Sequence, residues 1–535
     1  MAITTSDIQS VIERSAAILA LPGVLSVRPG YVFRDGWITT ERAVVVTVVG
    51  EPPALPAELE GVPLDVRAAT ESKALQVQDP VAYARVTGPT PDLGAVPAFA
   101  SELRVVAGPS PALHRIEAPT EHSASGFAQP EASKPQLPYQ PPAGASLAPV
   151  DLAPGTTVEL SASPDSGWPT LAAFLHGTES SLTVGLYDFT SAHVLQTVER
   201  ELAGKRLRLV LDHPAKNPTA DQTDEATVVD LAKNLGDGLE QAWALDRMDP
   251  LAAAWIFPTA YHIKVAVRDS ASVWLSSGNW NNSNQPDIDP VTVPSDADEA
   301  RTRDRDWHVV IHDEGLASTF EAFLANDLST AEAHDVTAVA SAQAERLPAP
   351  EVLVPAASTP PFQQFFAAGT ATDVTRVTPV LTPDAGVYVT AVRELIESAE
   401  TSLHLQFQYI ELPKTASDAS KPFADLVAAV VDRQKAGVDV RIIMSQFETA
   451  GFLEQLQAAG LDVMTRVRLQ SNVHNKGIVV DGRRVLVSSQ NWSTAGVLSN
   501  RDAGVILDSV TAATYFDTIF EHDWAHLAGQ KARND

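Results

Sequence analysis

The chain contains no cysteine, which removes disulfides, thiolate nucleophiles and Cys-ligated zinc from consideration. It leaves the compartment open, since a Cys-free protein survives in either redox state. Long apolar runs are missing too: nothing approaches the ~18 consecutive residues of a membrane-spanning helix. The opening MAITTSDIQSVIERS lacks a basic segment followed by an apolar stretch, so no signal peptide is expected and a cytoplasmic location is the default. Basic residues are scarce, with 38 Lys+Arg against 67 Asp+Glu and a net charge of −29. That field repels polyanions within about a Debye length, disfavouring non-specific nucleic-acid binding without excluding a local basic groove. Hydrophobic residues reach 44% over 535 residues, enough for several buried cores at a soft ~150 residues per domain.

Residues 1–90 have the pattern of a small N-terminal α/β domain. Ile8, Val11, Ile12, Ala16, Ile18 and Leu19 predict a helix over Ser6–Leu21, and Ala43–Val49 is a β-branched run suited to a buried strand. No chemical constellation occurs there. Residues 91–154 are rich in Pro, Ala and Ser and read as a linker, as does 336–374. The stretches 155–335 and 375–535 repeat one another. SPDSG at Ser163–Gly167 returns as TPDAG at Thr382–Gly386, and Glu179–Phe189 returns as Glu400–Ile410. Lys205–Asp212 matches Val438–Ser445, and Asp306–Ile311 matches Asp502–Leu507 at a shift of 196 positions, which carries on into a shared terminal helix. Strands alternating with helices predict two α/β halves with mixed sheets.

Each half carries one cluster of reactive residues. The first is His262-Ile-Lys264, Asp269, then Ser276-Ser277-Gly278-Asn279; the second is His474-Asn-Lys476, Asp481, then Ser488-Ser489-Gln490-Asn491. Identical spacing at equivalent points of an independent repeat is hard to produce by chance. Each His and Lys, two apart in a strand pattern, point to the same side. The turn after each Asp starts a hairpin that returns Ser277 and Asn279, or Ser489 and Asn491, beside the pair. A phosphodiester needs a nucleophile, an acid for the leaving oxygen and positive charge on its other oxygens, and two such clusters around one phosphate offer all three.

These residues resemble the paired HxK(x)4D(x)6GSxN signature of the phospholipase D superfamily, over roughly residues 155–530. Ser276 and Ser488 stand where that family usually has Gly. The resemblance implies two α-β-α sandwich halves sharing one active site and a metal-independent reaction without cofactor. One histidine attacks phosphorus to give a phosphohistidine, and the other protonates the leaving alcohol, then activates water or an acceptor alcohol. His262 is the expected nucleophile and His474 the acid and base. Lys264, Lys476, Asn279 and Asn491, helped by Ser277 and Ser489, would hold the phosphoryl oxygens. The family also places a carboxylate behind each histidine, for which Asp306 and Asp502 are the candidates. The first half reaches its Asp only after a longer polar insertion, Asn281–Arg305, which could cover the site. Asp269 and Asp481, beside the hairpin turns, are expected to be structural.

Blander readings apply elsewhere. His176, His213, His308, His312, His522 and His526 read as structural or surface residues, Trp280 and Trp492 as core, and EARTRDRDW as a solvated charged face. Lys264, Arg268, Arg466, Arg468, Lys476, Arg483 and Arg484 suggest a local electropositive pocket in an acidic chain. A phospholipid is the first substrate expected. The alternatives are a nucleic-acid phosphodiesterase of the same superfamily and a catalytically idle scaffold. One chain holds both motifs, so a monomer suffices.

Overall fold

The computed structural model describes residues 5–15, 18, 21, 23–34, 37–49, 53–69, 139–212, 221–244, 256–257, 260–333, 364–413, 417–445 and 449–529. His213 and most of both linker stretches lie outside them.

In the N-terminal unit, α1 (Thr5–Arg14) lays Ile8, Val11 and Ile12 on a four-stranded sheet. Its strands are β1 (Val24–Arg34), β2 (Trp37–Val48), β3 (Glu58–Leu59) and β4 (Val62–Ala68), in the order β1-β2-β4-β3. The helix stops at Arg14, short of the Leu21 suggested by apolar spacing. Gly23, at φ 83°, turns the chain directly into β1, a conformation glycine adopts at little cost. This unit docks on the second half through Arg28 and Arg67, both paired with the buried Glu454.

The first half contributes β6 (Val158–Ser163), β7 (Ser181–Leu186), β8 (Arg206–Leu211), β9 (Leu239–Trp243), β10 (Lys264–Arg268), β11 (Ser272–Ser276) and β12 (Asp306–Ile311). The second contributes β14 (Arg376–Thr382), β15 (Ser402–Phe407), β16 (Asp439–Ser445), β17 (Val467–Gln470), β18 (Lys476–Val480), β19 (Arg484–Ser488) and β20 (Asp502–Asp508). Two further strands, β5 (Val150–Asp151) and β13 (Gly369–Ala371), come from stretches whose composition reads as linker. Each pairs with the other half: β5 with β14, and β13 with β6. The resulting sheets have eight strands apiece and equivalent orders, β13-β6-β12-β11-β10-β7-β8-β9 and β5-β14-β20-β19-β18-β15-β16-β17. In both, the last three strands are parallel and the rest antiparallel.

Helices α2 (Gly167–His176) and α3 (Ala192–Glu201) cover one face of the first sheet, as α4 (Val387–Glu397) and α5 (Lys421–Lys435) cover the second. Between the sheets lies a common core. It joins Val265, Leu275, Trp307 and Val309 of one half to Val479, Val487, Ala503 and Val505 of the other. Two helices, Glu314–Glu332 and Val510–His522, complete it, and Trp307 stacks on Phe516 at 4.7 Å. An apolar core shared between halves holds them as one body, because separating them would return that surface to water.

Candidate active site

Lys264 opens β10 opposite Leu186, the last residue of β7, and Lys476 opens β18 opposite Phe407, the last residue of β15. Both clusters therefore sit at the carboxyl ends of parallel strands, the usual place for ligands in sheets of this kind. His262 and both lysines are fully buried, and His474 is 7% exposed.

Backbone pairing between the halves joins the clusters. The His262 amide donates to the Arg501 carbonyl at 2.7 Å, and Arg501 donates back to Ala260 at 2.9 Å. The His474 amide donates to the Arg305 carbonyl at 3.2 Å, and Arg305 donates to Asn472 at 2.7 Å. Each histidine thereby lies beside the carboxylate of the opposite half. His262 Nδ1 is 2.7 Å from Asp502 Oδ1, and His474 Nδ1 is 2.9 Å from Asp306 Oδ1. An ionised carboxylate only accepts, so when Asp502 or Asp306 is ionised the facing Nδ1 carries the proton and Nε2 keeps its lone pair. Lys476 Nζ also lies 3.2 Å from His474 Nδ1. His262 Nε2 is buried without a hydrogen-bond partner.

Each lysine ammonium donates to the carbonyl of its own histidine. The amide oxygen of Asn279 and both amide ends of Asn491 are buried and unpaired. Polar atoms left so in a low-dielectric site are expensive unless a ligand completes them. Ser277 donates to Asp306 Oδ1 and Ser489 to Asp502 Oδ1, each at 2.6 Å. Both hydroxyls also accept a backbone N–H, from Trp307 and Ala503. A phosphate could take their protons only by exchanging these carboxylate bonds. The Ser-for-Gly departures are used as well: Ser276 bonds His308 Nδ1 at 2.7 Å, and Ser488 donates to the Lys476 carbonyl at 2.8 Å. Asp269 and Asp481, both at positive φ, accept from the backbone that starts β7 and β15, Ser181 N at 2.9 Å and Ser402 N at 2.8 Å. Both therefore tie a hairpin to the neighbouring strand. Trp280 and Trp492 are fully buried in the two outer cores.

Burial governs the electrostatics. It pushes His262 well below its usual value, helped by the Lys264 and Lys476 ammonium groups and by His474. His474 is lowered to about 4 by burial and Lys476, against the pull of Asp306. Lys476 falls to about 8 through burial. The two carboxylates part company. Burial raises both, but His474 and Lys476 outweigh it at Asp306 and hold it well below the usual range. Asp502 stays raised to about 7 despite Lys264 and Ser489.

The electropositive cluster is smaller than expected. Arg466 pairs with Asp439, Arg484 pairs with Asp508, and Arg268 lies over Phe174, so Lys264 and Lys476 are the cations that face the histidines. The run EARTRDRDW is not a solvated face at its end. Arg305 is 2% exposed and bonds Asp165 at 3.0 Å in its own half and Asp523 at 2.9 Å in the other. Arg501 repeats this with Asp384 and Asp327, and also donates to Tyr139 Oη at 2.7 Å. These clamps went unread as site elements. The signal was present: Arg-Asp occurs at both ends of the 196-position shift, and the partner aspartates Asp165 and Asp384 lie in SPDSG and TPDAG.

Residues 392–524 match the family model described as cardiolipin synthase, PLD-like domain. No curated protein matches the sequence. Among solved structures, phosphatidylserine synthase of Haemophilus influenzae Rd KW20 is 13% identical, with 72% of this chain and 90% of that one covered and a TM-score of 0.47. The phospholipase D family member Nuc of Salmonella typhimurium is 16% identical, covering 34% of this chain and 96% of its own, with a TM-score of 0.24. NucT of Helicobacter pylori is 13% identical, with 32% and 96% covered and a TM-score of 0.24. Among the described residues, no helix is long and apolar enough to cross a membrane.

Proposed function

The chain belongs to the phospholipase D superfamily, and from that premise we propose that it is a phosphodiesterase working through a phosphohistidine on His262. The observation that carries this reading is the exchanged pairing of His262 with Asp502 and His474 with Asp306. It gathers two imidazoles and two ammonium groups in one buried site. His262 Nε2 attacks phosphorus while the bond to the leaving oxygen breaks, and a proton on His474 Nε2 passes to that oxygen. His474 then takes a proton from water or an acceptor alcohol, whose oxygen displaces His262. A low pKa keeps His262 neutral for attack. His474, held at about 4 in the free site, takes up its Nε2 proton as the arriving phosphate anion and the ionised Asp306 stabilise the imidazolium. Lys264, Lys476, Asn279 and Asn491 hold the phosphoryl oxygens; an arriving anion raises the depressed lysines and keeps them charged. The lysines supply the charge a metal would otherwise bring, so chelator should leave the rate unchanged.

A phospholipid is the preferred substrate, because a net charge of −29 opposes a polyanion. Two measurements test the reading. In a panel of phospholipids, DNA and RNA, with a His262→Asn blank, phospholipid turnover that survives a rise from about 0.05 to 0.2 M salt is expected (the range over which phosphate-contact binding collapses). Steeply salt-dependent cleavage of nucleic acid would favour the nuclease reading, and no turnover of any substrate would favour the idle scaffold. The second concerns pH. Lys476 is charged below about 8 and loses its proton above, so kcat/KM should fall about tenfold per unit on the alkaline side. Lys476→Arg should abolish that limb whatever rate remains; an unchanged limb would remove Lys476 from the phosphate site.

A further inference from the structure

The two histidine–carboxylate couples are duplicates in sequence, yet the residues around them differ. Asn284, in the Asn281–Arg305 insertion, is 1% exposed and uses its whole side chain. Its amide nitrogen donates to Asp306 Oδ2 and to Asp304 Oδ2, both at 3.0 Å. Its oxygen accepts the backbone N–H of Asn279 at 2.9 Å. Asp304 is held in turn by Ser283 Oγ at 2.5 Å. Asp306 is thus fixed at both oxygens: Oδ1 by Ser277 and His474, Oδ2 by Asn284.

The second half has no insertion. Asn500 stands at the place of Asp304, where its side chain bonds Asp502 and lowers it without offsetting burial, and Gln490 stands at the place of Gly278. That last difference follows from packing. A Cβ on Gly278 would lie 2.6 Å from Asp306 Oδ2 and 2.8 Å from Asn284 Cβ, so only glycine admits Asn284 there. Gln490 instead sends its amide to the Val380 carbonyl at 3.3 Å.

We propose that Asn284, held by Asp304, is the positioning residue that makes His474 the acid and base of the pair, leaving His262 as nucleophile. This rests on the phosphohistidine reading above. An amide donor on the second oxygen stabilises the anionic form of Asp306 and fixes its orientation toward the His474 ring. The opposite displacements of Asp306 and Asp502 agree with this division of labour.

The test is rapid-quench kinetics of the full chain with a nitrophenyl phosphodiester, whose leaving group needs little acid help. In Asn284→Ala the first release of nitrophenolate should keep its wild-type rate. Turnover should fall on the order of tenfold, as for residues acting through a histidine's partner, because His474 activates water poorly. Acid-labile phosphoenzyme should therefore accumulate on His262. The isosteric Asp304→Asn should show the same pattern more weakly and guards against misfolding. Equal slowing of both steps, or a slowed first release, overturns the assignment of Asn284. A wild-type enzyme that turns over without ever forming an acid-labile phosphoenzyme overturns the parent reading and this one with it.

Discussion

His262→Asn should eliminate both turnover and covalent labelling, whereas His474→Asn should eliminate turnover but leave the label in place. The first loss should be on the order of 10⁴-fold or greater, because the imidazole that receives the phosphoryl group is gone. The second depends on the leaving group. With an alkyl phosphodiester, loss of the general acid should cost about 10²- to 10⁴-fold. With a nitrophenyl ester the first step should survive, and the phosphoenzyme should persist because nothing activates water. Quenching at alkaline pH, then peptide mapping, locates the phosphate. Label on His474 in the His262→Asn variant would reverse the two roles, and equal labelling of both single variants would abolish the distinction between them.

Arg501→Met should destabilise the protein by about 3–5 kcal/mol, the usual consequence of removing one partner from a buried charge cluster. Asp327, fully buried, and Asp384, nearly so, would lose their common cation. The cost should be shared with catalysis. The Arg501 carbonyl holds the His262 amide, and Asp502 follows it directly in the chain, so movement of this strand loosens the His262 couple. Denaturant unfolding and kcat should therefore decline together, with KM changing less. A control is Arg393→Met, where the ion pair with Glu397 is exposed on both sides and contributes little. Were Arg501→Met no worse than this control, the clamp would carry neither stability nor geometry. Arg305, with Asp165 and Asp523, should behave alike.

The balance between local and distant information explains what could be read early. Strand period put His262 with Lys264 and His474 with Lys476, and the repeated spacing tied Asp269 and Asp481 to their turns; each of these depends on residues close in the chain. Helix α1 was found by its apolar spacing, although its end was not, because Ile18 and Leu21 continue the apolar pattern past Arg14 and pack on the same core without belonging to the helix. The arginines show the opposite case. Arg305 looks like part of a solvated charged run until Asp523, some 200 positions away, is brought to it. The linker composition likewise concealed β5 and β13, whose pairing partners lie in the opposite halves.

By itself the sequence determined that two equivalent histidine–lysine clusters exist, because spacing and repetition are properties of a line of residues. Only the folded chain decided that each histidine receives its carboxylate from the other half, that buried arginines lock this exchange, and that Asn284 supports one couple alone. Those outcomes depend on which surfaces exclude water and on partners 168 and 240 positions apart. No local period reaches that far.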